Sequence, residues 1–141
     1  MILRYDQDGN PTFERYTVEA AQAIRLVKEE AIASNASQVE TEHLLIGLLK
    51  SDPLLCARVN LDISLIRVDG GGSSPQSFQP LSHESKRVLA YSAEEAERLG
   101  HPKITCWHIA LGILREKDCK AAKLLRDQGI APQIIKEGLI L

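Results

Sequence analysis

Four residues in the second half of the chain carry side chains that metals and nucleophilic catalysis use: His101, Cys106, His108 and Cys119. Their spacing matches no standard close pairing of zinc ligands, and the first half lacks most of their equivalents. A cysteine nucleophile served by His108 would lack an orienting third group and an oxyanion site. Gly70-Gly71-Gly72 is not followed by Lys-Ser/Thr, so no phosphate-cradling loop is present, and no dinucleotide glycine pattern occurs. These residues predict a protein without enzymatic activity, cofactor or metal. His43 and His108, each flanked by apolar residues, read as hydrogen-bonding packing residues. Glu42 falls in the first turn of a helix, where the macrodipole favours an acid without any ligand. Trp107, the only tryptophan, reads equally as a hydrophobic plug or as an anchor for a partner.

The elements that must position these residues come as a repeat. An offset of 65 residues aligns Tyr16–Lys50 with Leu81–Arg115 without a gap. Glu19/Glu84, Glu29/Glu94, Glu30/Glu95, Ala31/Ala96, His43/His108 and Gly47/Gly112 are identical pairs. Thr17 and Ser82 are N-cap candidates, with Ala20, Ile24, Val27 and Ala31 following at helical spacing in one half and Leu89, Ala93 and Ala96 in the other. Asn35 and Gly100 match as helix-ending positions that tolerate a left-handed backbone. A second, strongly apolar helix follows in each half. Its interior glycine costs about 1 kcal/mol relative to alanine, which implies that another helix approaches closely at Gly47 and Gly112.

Asp52-Pro53 caps and opens a third helix, Asp118 opens its counterpart, and Gly129 closes that one. Short final helices are expected over Asp62–Val68 and Pro132–Leu139. The charged stretches Lys28–Glu30 and Glu94–Arg98 read as solvated helix faces, with Glu94 and Arg98 spaced for an i,i+4 pair. The expected fold is all-α: two tandem four-helix repeats, about eight helices, packed with pseudo-twofold symmetry. The organisation is a leader over residues 1–12, a first repeat over 13–68, a Gly/Ser/Pro linker over 69–80 and a second repeat over 81–141.

The composition narrows the partners. The 141 residues include 17 basic and 19 acidic side chains, a formal charge of −2, which gives no electrostatic drive towards nucleic acid or anionic membrane. Aromatic residues are 4% of the chain, too few for a base-stacking platform. Three widely spaced cysteines, Cys56, Cys106 and Cys119, follow a polar N-terminal stretch; they read as reduced thiols in a cytoplasmic protein. No apolar run approaches the roughly 18 residues of a membrane span.

The repeated motif resembles the Clp amino-terminal domain, or Clp repeat. The first half carries Glu29-Glu30-Ala31, Val39 and Thr41-Glu42-His43-Leu44-Leu45-Ile46-Gly47-Leu48-Leu49. The second carries Glu94-Glu95-Ala96, Gly100-His101, Ile104 and a departed Cys106-Trp107-His108-Ile109-Ala110-Leu111-Gly112-Ile113-Leu114. The resemblance implies a stand-alone module that binds substrates, adaptors, or Clp chaperone or protease components in regulated proteolysis, without the ATPase rings that such domains usually serve. Its alternatives are a ClpT-like accessory subunit of the peptidase core, or the N-domain of a longer Hsp100 ATPase. The resemblance also implies a phosphoarginine pocket in the first half, with Glu42 on the guanidinium and helix-start amides with the Thr17 and Thr41 hydroxyls on the phosphate. In the second half Trp107 stands at the glutamate position and Cys106 at the threonine position, so at most one such pocket survives. The groove between the halves, near Glu42 and Trp107, is the expected docking region.

Overall fold

The computed structural model describes residues 15–34, 36, 38–66 and 81–139. Among them are seven α-helices: α1 (Val18–Ala33), α2 (Thr41–Ser51), α3 (Pro53–Val59), α4 (His83–Arg98), α5 (Cys106–Arg115), α6 (Lys120–Asp127) and α7 (Pro132–Leu139). A 3₁₀ turn at Ile63–Leu65 stands where the first half was expected to form its fourth helix. There the Asp62 carboxylate accepts the Ser64 amide at 3.0 Å and the Ser64 hydroxyl at 2.6 Å, a local turn that competes with helix continuation. Residues 67 and 68 of that expected helix, and the linker over 69–80, lie outside the described residues. No helix of the described residues is long and apolar enough to cross a membrane.

The caps follow from side-chain chemistry. The Thr17 hydroxyl accepts the Ala20 amide at 3.2 Å to open α1, Ser82 accepts the Ser85 amide at 3.1 Å to open α4, and Asp52 accepts the Leu55 amide at 3.1 Å to open α3. The opening of α6 differs from expectation. Its cap is Cys119, whose sulfur accepts the Ala122 amide at 3.4 Å and donates to the Ile113 carbonyl at 3.8 Å, whereas Asp118 stays in solvent. The position between α2 and α6 is buried, so a thiol fits where a carboxylate would lose its water. Gly100 and Gly129 end their helices at φ +75° and +77°; Asn35 lies outside the described residues.

Within each half, the first two helices pack against each other through the small residue of the second. A Cβ on Gly47 would lie 2.3 Å from Val27 Cγ2, and one on Gly112 would lie 2.4 Å from the Val88 carbonyl oxygen. The core between them is aliphatic, with Ile24, Leu44, Leu45, Leu48, Leu89, Ile109, Leu111 and Ile113 essentially removed from water. Each contributes on the order of 2 kcal/mol by that removal.

The halves join by exchange. Tyr16 bridges Ile104 and Val39 bridges Leu81, both parallel, and each pair maps onto the other under the 65-residue offset. The Thr17 amide donates to the Ile104 carbonyl at 3.0 Å and the Ser82 amide to the Val39 carbonyl at 2.9 Å. The start of each first helix is thereby fixed beside the start of the other half's second helix.

The Glu-Glu-Ala signature gains a physical role. Ala31 and Ala96 are fully buried. Glu30 pairs with Lys50, and its equivalent Glu95 pairs with Arg115 at 3.5 Å, so the acid late in each first helix meets the base ending the second. Glu95 is 3% exposed, so the expectation of a solvated face fails there. Arg98 turns to Glu95 of its own helix at 3.3 Å, while Glu94 pairs across to Arg115 of α5 at 3.0 Å, so the expected Glu94–Arg98 pair does not form.

Candidate functional site

The repeated histidine is the third residue of each second helix. The Glu40 amide donates to His43 Nδ1 and the Thr105 amide to His108 Nδ1, both at 2.9 Å. A backbone N–H only donates, so Nδ1 accepts and the ring proton sits on Nε2. From there it donates to Ser34 Oγ at 3.0 Å in the first half and to His101 Nδ1 at 2.8 Å in the second. Burial lowers the pKa of both rings, that of His108 to about 4. Near-neutral pH therefore leaves them uncharged, and each ties the end of one helix to the start of the next. Among the described residues no group of three or more His, Cys, Asp or Glu converges as metal ligands.

The starts of α2 and α5 are related by the pseudo-twofold and differ in chemistry. At α2, Thr41 and Glu42 are 2% and 4% exposed. The Thr41 hydroxyl donates to Glu42 Oε1 at 3.0 Å and accepts the Ala121 amide of α6 at 3.4 Å. Beside them opens a cavity of about 540 Å³, lined further by Glu40, Glu84, Arg87, Glu116, Asp118, Cys119 and Lys120. Arg87 lies within 3.7 Å of Glu84 and hydrogen-bonds Glu116 through Nε.

At α5, Cys106 is buried, and its thiol is pushed up to about 12 by desolvation and by the negative charges of Asp52 and Glu19. Trp107 is half-buried and lies over Gly138 of α7, where an added Cβ would come within 2.1 Å of the ring. Nearby helix starts leave Val18 71% and Leu54 75% exposed.

The structure thus brings Thr41 and Glu42 together on one cavity. Thr17, tied to Ile104, stands at the start of α1 beside the α5 side of the molecule, with Cys106 and Trp107. The single first-half pocket that the sequence suggested is composite: its second wall comes from α4 and from the α5–α6 connection. Glu84 and Arg87 were legible in principle, because Glu84 repeats Glu19 and two-fold exchange places each first-helix start against the opposite half. Glu116 and Asp118 lie in a connection without periodicity and carry no such signal.

Two copies of one helical unit, closed by reciprocal bridges, match a known family. The model of the Clp repeat (R) N-terminal domain fits residues 15–69 and 80–140. The chain belongs to the Clp repeat (R) N-terminal domain family. Over 138 residues it is 37% identical to the chloroplastic chaperone protein ClpC2 of Arabidopsis thaliana, a match covering 91% of this chain and 14% of that protein. It is 36% identical to the chloroplastic ClpA homolog of Brassica napus, an ATP-binding subunit of the ATP-dependent Clp protease, covering 91% of this chain and 16% of that protein. Among solved structures, the N-terminal domain of the caseinolytic-protease-associated chaperone ClpD of Arabidopsis thaliana superposes with a TM-score of 0.70 at 25% identity, covering 89% of this chain and 95% of that one. The chain therefore spans about a seventh of the length of these Clp relatives, and its Clp repeats are the two halves joined at the Tyr16–Ile104 and Val39–Leu81 bridges.

Proposed function

We propose that this Clp repeat domain is a protein-docking module that receives a segment of a substrate, an adaptor or another Clp component and has no catalytic role of its own. The observation that carries this reading is the cavity at the start of α2, where a buried Glu42 faces open space between the two repeats in a family named for chaperones and proteases. Helix starts supply unpaired amides and acids supply charge, which is the equipment for holding a polar side chain of a partner. Thr41 and Glu42 are its recognition residues, and Trp107 serves the second half as a packed plug beneath α7.

Affinity purification of the tagged chain from its native organism tests this. Recovery of an unfoldase, an adaptor or client proteins supports recognition. Recovery of the peptidase without a chaperone favours a ClpT-like accessory role instead. Recovery of no Clp component and no client refutes both. Coverage of only 14% of ClpC2 favours a second reading, in which the same module serves as the N-terminal part of a longer ATPase; the full gene sequence decides it.

The phosphoarginine expectation at Glu42 requires a cation or free amides for the phosphate. Arg87 is already held by Glu84 and Glu116, and Lys120 is not free either. Calorimetry with free phosphoarginine at millimolar concentration, on the unaltered protein and on Glu42→Ala, tests that part of the reading; absence of heat with the unaltered protein removes it.

A further inference from the structure

A second groove, about 630 Å³ in volume and open to solvent, lies where α5 ends and α6 turns into α7. Leu114 and Ile130 form its floor, and Gly129, Ala131 and Pro132 line the turn. A Cβ built on Gly129 would meet nothing within 4 Å, so the backbone there is bare. The rim carries Lys117 and Arg126, both exposed, and among the described residues neither side chain has an acidic partner. Asp118, shared with the cavity at α2, is the one acid of the lining. The start of α7 is a separate observation. Helices α1, α3, α4, α5 and α6 each open on a side chain that accepts a first-turn amide. Helix α7 opens after Ala131, which has no side-chain oxygen to offer, and the Ile134 amide turns back to the Ala131 carbonyl at 3.0 Å. Among the described residues the Gln133 amide is left without an acceptor.

We propose that this groove docks a partner segment in which an aliphatic side chain stands next to an acidic one. The aliphatic group lies on Leu114 and Ile130, and the carboxylate meets Lys117, Arg126 and the start of α7. This rests on the docking reading above and gives the module a second site, of opposite charge preference to the first. A carboxylate accepts on both oxygens, so it can take a cation and the Gln133 amide together. Charge complementarity selects this groove for such a segment: two cations face one acid here, whereas five acids face two cations in the cavity at α2 and repel it. An apolar lining with a few polar groups is the usual make-up of a binding site, and an open groove admits a chain lying across it.

The test is an NMR titration of the full chain with three end-blocked peptides of one sequence, carrying Leu-Glu, Leu-Gln or Ala-Glu at the centre. The Leu-Glu peptide shifts the amides of Gly129, Ile130 and Gln133. The other two each bind ~10-fold more weakly, one for its lost charge-assisted hydrogen bonds and one for its lost apolar contact. Lys117→Gln and Arg126→Gln, at exposed positions, each weaken the Leu-Glu peptide by ~3-fold with an unchanged unfolding midpoint. Ala131→Asp gives α7 a carboxylate cap of its own, so it raises the unfolding midpoint and weakens the peptide by ~10-fold.

Equal binding of the Leu-Glu and Leu-Gln peptides overturns the inference. So does the absence of shifts at those three amides at millimolar Leu-Glu peptide. An Ala131→Asp protein that gains stability and keeps the parent affinity overturns it too, because the helix start then takes no part in binding. Shifts confined to the starts of α2 and α4 overturn it while leaving the docking reading intact. That reading falls separately, on failure to co-purify any Clp component or client.

Discussion

Replacing Gly112 with alanine sets two effects of known sign against each other. Inside α5 the substitution gains about 1 kcal/mol of helix propensity. Against this, the new Cβ would lie 2.4 Å from the Val88 carbonyl oxygen, 2.6 Å from Ser92 Oγ and 3.1 Å from the Ser92 amide of α4. Two of those atoms are backbone, so no rotamer change clears them. The Val88 carbonyl also accepts the Ser92 hydroxyl at 2.7 Å, which holds the obstructing groups in place. Separating α4 from α5 by the better part of an ångström loosens the main contact of the second half, and overpacking of that kind costs about 1–3 kcal/mol. Packing therefore wins, and Gly112→Ala is destabilised by about 1–2 kcal/mol net, a fall of roughly 5 °C in Tm for a domain of this size. Gly47→Ala loses less, because its closest neighbour is the Val27 methyl at 2.3 Å, with the Ala23 carbonyl further away at 2.8 Å. Urea and thermal unfolding of both variants measure the difference. A Gly112→Ala protein as stable as the parent, or more so, would show that α4 and α5 do not approach as described.

Acid should destabilise the fold through its capping histidines. Burial lowers the pKa of His108 to about 4, below the ordinary 6.5, and lowers that of His43 in the same direction, so between those values the unfolded chain binds more protons than the folded one. Stability is fully present above pH 6.5 and falls through that window, by about 3 kcal/mol from His108. His108→Gln, which retains an acceptor for the Thr105 amide, flattens the dependence; an unchanged slope in urea midpoint against pH contradicts the assignment. Thiol chemistry offers a further check. Cys106 and Cys119 are buried, with thiols pushed up by desolvation, and Cys56 is half-buried. A disulfide reagent should label Cys56 first in native buffer and all three thiols in denaturant, and fast labelling of Cys106 would refute its burial.

Much of the fold is written in local chemistry. Thr17, Ser82 and Asp52 cap helices because an oxygen on a short side chain satisfies an orphan amide wherever the chain turns into a helix, whatever surrounds it. Gly47 and Gly112 announce a close helix approach because nothing local rewards glycine in a helix interior. Other features depend on neighbours distant in sequence. Cys119 caps α6 in preference to Asp118 because that position is buried, and burial is not a local property. His43 and His108 were legible as packing residues, but their role as reciprocal caps needs Ser34 and His101 brought alongside.

The sequence by itself determined the helical repeat, its caps, its core face and its resemblance to the Clp repeat, since periodicity and capping act within a few residues along the chain. Tertiary structure decided how the repeats exchange ends. Because Tyr16 pairs with Ile104 and Val39 with Leu81, the start of the second helix of each half lies beside the start of the first helix of the other. That exchange sets Thr17 on the Trp107 side, apart from the cavity of Thr41 and Glu42, and brings Glu84, Arg87 and Glu116 to that cavity. Apart from Glu40, the charge that surrounds Glu42 is assembled from residues over 40 positions away, and only folding brings them to it.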